Sequence, residues 1–129
     1  LGRTVSFDGY RARGAPSDFD DGTIAPTAVA SSLPFEPDLV MRTLRHWTFD
    51  RPELWSEHGF KDAYNPSFDV TKPSGWVASD TLAIDQGPIV MMIENHRSGF
   101  FWSLARRNKV LKEGLARAGF SGGWLPKSK

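Results

Sequence analysis

Two acids, Asp85 and Glu94, flank a run of Gln-Gly-Pro and five apolar residues, Ile89, Val90, Met91, Met92 and Ile93. An unpaired carboxylate beside such a run is costly to bury. Glu94 must therefore be paired, protonated or turned into a polar cavity. Three residues on, Arg97 is within ion-pairing reach on a helix, and this competes evenly with a functional role for Glu94. Pro88 suits the first position of a helix with Gly87 as its cap, so Asp85 falls just ahead of a helix N-terminus, where an anion is favoured. One acid held ionised by a helix end and another pushed toward protonation by apolar neighbours is the split that glycosidic acid–base chemistry uses. Asp62 is a third candidate, in a loop that also carries Tyr64, Asn65 and Trp76. Long loops in compact domains are often functional, although an Asp there also serves as a turn former.

Other chemistries find little support. His46, His58 and His96 lack the spacing of a shared metal site, there is no Cys, and neither a Gly-rich phosphate loop nor a nucleophile elbow occurs, so no cofactor is expected. Asp18, Asp20 and Asp21 before Gly22 do not match the calcium-loop spacing and read as a solvated turn. With 16 basic and 15 acidic residues the net charge is +1, and no continuous basic face suggests nucleic acid as a partner. The longest apolar run is far too short for a membrane span. Five Trp and nine Phe in 129 residues suit a core first and sugar stacking second.

The elements that must carry these residues read as helices. Residues 1–23 show neither helical nor strand periodicity and predict an irregular loop. Pro26 opens one helix; Pro37 opens another, striped by Leu39, Val40, Thr43, Leu44 and Trp47. Residues 51–59 predict a short helical turn ended by Gly59, and residues 61–76 a long loop. From Pro88 the helix is apolar all round, which predicts burial on every side. Residues 100–107 continue helically. Asn108 caps a last, outer helix whose stripe is Val110, Leu111, Leu115 and Ala118, closed by Gly119. The pattern predicts a layered all-α domain from residue 24 to residue 129.

The segments GFKDAYNP, the later Trp76, LAIDQGPIVMMIENHRSGFFW and GLARAGF, with DGTIAPTAVASSLPFEP ahead of them, resemble the C-terminal signature of the bacterial glucoamylase-like family. That family includes endo-β-1,2-glucanases and the transglycosylating domain of cyclic β-1,2-glucan synthases. Tyr64 stands where Phe is commoner. The resemblance implies the C-terminal half of an α/α toroid of inner and outer helices, with a carbohydrate cleft at the rim where inner helices begin. It implies a glycoside hydrolase or transglycosylase acting on a β-glucan, with Asp85 and Glu94 as catalytic acids. Asp62, Tyr64, Asn65 and Gln86 would then bind substrate, with Trp76 and Trp102 as sugar platforms. It further implies a periplasmic or secreted location, an N-terminal half of the domain as partner, and no activity in this chain alone. The competing expectation is a non-catalytic helical module that binds sugar or serves assembly.

Overall fold

A computed structural model of the chain describes residues 21–68 and 75–125. The predicted loop over residues 1–20, with Asp18 and Asp20, and residues 69–74 of the second loop lie outside these. The described residues are mostly helical: α1 (Pro26–Ser31), α2 (Pro37–Asp50), α3 (Ala83–Ser98), α4 (Phe100–Arg107) and α5 (Lys109–Arg117). Between α2 and α3 come a 3₁₀ turn, Pro52–Leu54, and four two-residue strands, β1 (Trp55–Ser56), β2 (Gly59–Phe60), β3 (Tyr64–Asn65) and β4 (Trp76–Val77). β1 pairs with β2 and β3 with β4, both antiparallel.

Pro26 and Pro37 each open a helix as their fixed φ and missing N–H suggest. α2 buries Val40 and Trp47 from its predicted stripe, while Leu39 is exposed. Residues 51–59 form the expected helical turn but finish as a hairpin, in which Gly59 turns at φ 113°. Gly99, at φ 68°, separates α3 from α4, and the Asn108 side chain accepts from Leu111 N at 3.1 Å, capping α5 as read from sequence.

α1 and α3 run in the same direction. At their starts Thr27 Oγ1 donates to the Asp85 carbonyl at 2.8 Å. At the far end Phe35, beyond α1, packs on Trp102, whose amide is held by Asn95 of α3. α2 runs back, because its Trp47 donates to the hydroxyl of Tyr64, and Tyr64 pairs with Ile24 just before α1, while α1 and α3 pack directly on each other. A rising helix, a returning helix, a rising helix and another return is thus the order of the chain. Ala30, Trp47, Leu54, Phe60, Tyr64 and Ile89 form the core where these elements and the hairpin meet.

Two expectations are corrected. α3 begins at Ala83, five residues before Pro88, which lies inside it. The Leu82 carbonyl accepts from both Asp85 N and Gln86 N, and Gln86 Nε2 reaches the Phe60 carbonyl at 2.9 Å. These bonds hold an extra turn that local sequence does not announce, and Pro88 costs only the bond to the Ile84 carbonyl. Nor is α3 buried all round: Ile89 and Asn95 are its buried residues, while Val90 is 65% exposed and Ile84 78%. The α5 stripe is likewise open, with Val110 at 79% exposure.

Candidate active site

A short antiparallel ladder sets the geometry. Beyond the pairs Tyr64↔Val77 and Asn65↔Trp76, Ala78 N donates to the Ala63 carbonyl and Asp62 N to the Asp80 carbonyl, each at 2.9 Å. The ladder depends on Gly75, whose φ is 70° and whose absent Cβ would strike the Asn65 carbonyl and Pro66. Asp62 is carried by this ladder to the start of α3. There its carboxyl meets that of Asp85, within hydrogen-bonding reach.

Asp85 occupies the first turn of α3, the helix end whose amides lack intrahelical partners. Its Oδ2 is buried with no hydrogen-bond partner among the described residues. Burial pushes the Asp62 carboxyl above the ordinary carboxylate range; the facing charge of Asp85, the hydrogen bond with it and the charge of Asp80 push further the same way. Two carboxyls in contact share a proton more readily than they both ionise. Asp62 can therefore hold a proton beside the Asp85 oxygens. Among the described residues no group of three or more His, Asp or Glu is arranged to hold a metal ion, and no helix is long and apolar enough to cross a membrane.

Residues 2–109 match the family model Glycoamylase, described as "Putative glucoamylase". The chain belongs to the glycoamylase family. It is 32% identical over 109 residues to the exo-β-1,2-glucooligosaccharide sophorohydrolase of Parabacteroides distasonis, a match covering 84% of this chain and 14% of that protein. The endo-β-1,2-glucanase of Chitinophaga pinensis, solved with sophorotriose and glucose, superposes with a TM-score of 0.72 at 36% identity, over 93% of this chain and 28% of that one. The β-1,2-glucanase structure from Parabacteroides distasonis gives 0.63 at 33% identity, over 76% and 13%. The chain thus spans less than a third of the length of each of these glycoamylase relatives.

Within this glycoamylase chain the remaining site residues fall in different places. Glu94 is nine residues beyond Asp85, about 13 Å along the axis and half a turn round it, so the two acids point to opposite sides of α3. Glu94 instead takes Arg97 Nη1 at 3.2 Å and the Ser98 hydroxyl at 2.6 Å. Gln86 is next to Asp85 but spends its amide on the Phe60 carbonyl, and Gly59 lies so close that a Cβ there would collide with Gln86 Oε1. Tyr64 is buried; its hydroxyl accepts from Trp47 Nε1 at 3.1 Å and Arg51 stacks over its ring at 5.1 Å. That guanidinium is itself fixed by Glu53, whose carboxyl sits below its usual range: burial opposes this, and Arg51 outweighs it.

Asn65 is 0% exposed and clamps the chain ahead of α1: Nδ2 donates to the Asp21 carbonyl and Thr23 Oγ1, while Oδ1 accepts from Ser67 N. With these bonds made, it faces no open space. Trp76 is half-buried on β4, next in the ladder to Val77. Trp102 lies at the other end of α3 from Asp85, lining a hollow of about 270 Å³ with Ala105, Arg106 and Trp124. Asp80, overlooked in the sequence, completes the acidic group; its only signal is its place five residues before Asp85.

Proposed function

We propose that this chain forms part of a glycoside hydrolase or transglycosylase acting on β-1,2-glucan, and that Asp62 and Asp85 are its reactive acids. The observation that carries this reading is the contact between a carboxyl biased toward protonation and one seated at a helix N-terminus. The named activities of the sophorohydrolase and endo-glucanase relatives favour the β-1,2 linkage. Asp85 would orient or deprotonate a hydroxyl or water, and Asp62 would hold a proton beside it. Glu94, tied to Arg97 and Ser98, would position α3 and touch no substrate. Tyr64, Asn65 and Gln86 would shape the ladder and helix start behind the pair, leaving Trp76 as the nearest sugar platform along the ladder. Work on an extracellular or periplasmic glucan fits the family reading.

The test is product analysis on β-1,2-, β-1,3- and β-1,4-glucans, using this chain within its complete family domain. Asp85→Asn should abolish cleavage of β-1,2-glucan while retaining oligosaccharide binding, and Asp62→Asn should alter the pH profile of what activity remains. Unchanged turnover in both variants would remove the pair from the chemistry. Cleavage by the isolated chain would show that no further helices are needed.

A further inference from the structure

The far end of α3 carries a second group of side chains suited to a ligand. Asn95, ten residues beyond Asp85 and so about 15 Å along the axis, is buried, and its Oδ1 accepts from Trp102 N at 3.0 Å. The Phe35 ring packs on Trp102 at a centroid distance of 6.0 Å. Trp102 is therefore braced on the protein side, yet it remains only half-buried. Trp124 joins it from the tail that follows α5. There Gly122 and Gly123 both adopt left-handed backbone, at φ 83° and 61°, and Leu125 N closes the turn on the Gly122 carbonyl at 2.9 Å. The turn brings Trp124, 40% exposed, to the hollow of about 270 Å³ that Trp102, Ala105 and Arg106 also line.

The lining dictates what this hollow can take. Two indole rings offer flat apolar faces, and Arg106 offers a fork of donors with no acceptor. Among the described residues the Arg106 guanidinium makes no hydrogen bond or ion pair, whereas its neighbour Arg107 donates to the Ser103 carbonyl and hydroxyl. No carboxylate lines the hollow, so a cation gains nothing there. A pyranose ring presents both complements: a face of C–H groups for the indoles and oxygen acceptors for the guanidinium. The volume falls just below the range of about 300–1,000 Å³ typical of pockets for drug-sized ligands, which suits one such ring.

We infer that Trp102, Arg106 and Trp124 form a second saccharide site, which binds one glucosyl ring of a β-glucan at least about 15 Å from Asp85 and takes no part in bond cleavage. A ring held there belongs to a stretch of polymer away from the acids, so the site anchors the glucan and raises its local concentration at the acid pair. The stacking and donor geometry stands without the acids; only the choice of a β-glucan rests on the proposed function.

The test counts sites in the complete domain containing this chain, by equilibrium dialysis against radiolabelled β-1,2-, β-1,3- and β-1,4-linked glucose disaccharides. Trp124→Ala should bind one disaccharide fewer than the parent, and Arg106→Ala should weaken that same site at least about fivefold. Trp124→Phe keeps a stacking ring and should keep the site. Arg107→Ala removes a guanidinium already committed to Ser103 and should bind as the parent does. An equal count in the parent and Trp124→Ala for all three sugars would overturn the inference. So would loss of the site in Trp124→Phe and Arg107→Ala alike, which would mark a structural effect. A Trp124-dependent site in a domain that cleaves no β-1,2-glucan would sustain the inference and sink the proposed function; an unchanged count in a domain that does cleave it would do the reverse.

Discussion

Replacing Tyr64 by Phe separates a structural from a ligand-facing role for this ring. In the fold its hydroxyl accepts the indole N–H of Trp47 at 3.1 Å, and both side chains are buried. Phe would keep the edge-to-face contact with Trp47 and the Arg51 stack, whose centroid distances are 5.8 and 5.1 Å, but would leave the indole N–H without an acceptor. A buried donor stripped of its partner costs about 1–3 kcal/mol. For a chain of this size that corresponds to a fall of roughly 4–10 °C in melting temperature. Urea denaturation of the parent, Tyr64→Phe, Trp47→Phe and the double variant gives the coupling directly, and it should be about 1–2 kcal/mol. Because the hydroxyl points into the core, affinity for β-1,2-glucooligosaccharides in the complete domain should not change. A loss below about 0.5 kcal/mol with zero coupling, or reduced sugar affinity at unchanged stability, would refute the placement.

Asp62→Asn should change stability with pH in a defined direction. The native carboxyl binds its proton more tightly than the unfolded one, so its favourable contribution is complete below the usual Asp range and disappears as pH rises through the raised native value. The variant should therefore be more stable than the parent at neutral pH and equal to it in acid, as read from denaturation midpoints at several pH values. Gly59→Ala forces a Cβ onto Gln86 Oε1 at φ 113° and should cost roughly 2–3 kcal/mol, measured the same way, with loss of the Gln86 to Phe60 bond. Asn65→Ala removes the acceptor of the Ser67 amide and the donor to the Asp21 carbonyl and Thr23 hydroxyl, and should cost about 1–3 kcal/mol. Arg97→Ala breaks a pair whose Arg side chain is 73% exposed, and should shift the isolated chain's stability by no more than about 1 kcal/mol, less in high salt.

The local signals in the sequence were sufficient for elements governed by local rules. Pro26 and Pro37 fix φ at helix starts, Asn108 caps the last helix, and the all-α character follows from the stripe on α2 and the helix-forming run from residue 100. The acids Asp62 and Asp85 could be named from residue type and motif. What the sequence left open was which acids meet. Asp85 and Glu94 are close in the chain, yet a half-turn of helix separates their directions; Asp62 is 23 residues away and is brought to Asp85 by backbone bonds to Asp80 and by the turn at Gly75. The start of α3 escaped for the same reason, since its first turn is held by Thr27 and Phe60 from distant segments and not by a local cap. Composition thus determined that α3 wants apolar neighbours around it, because transfer from water depends on side-chain chemistry alone. Only the tertiary structure decided which of its faces are covered here and which carboxyls face each other, because distance between groups remote in sequence is a property of packing.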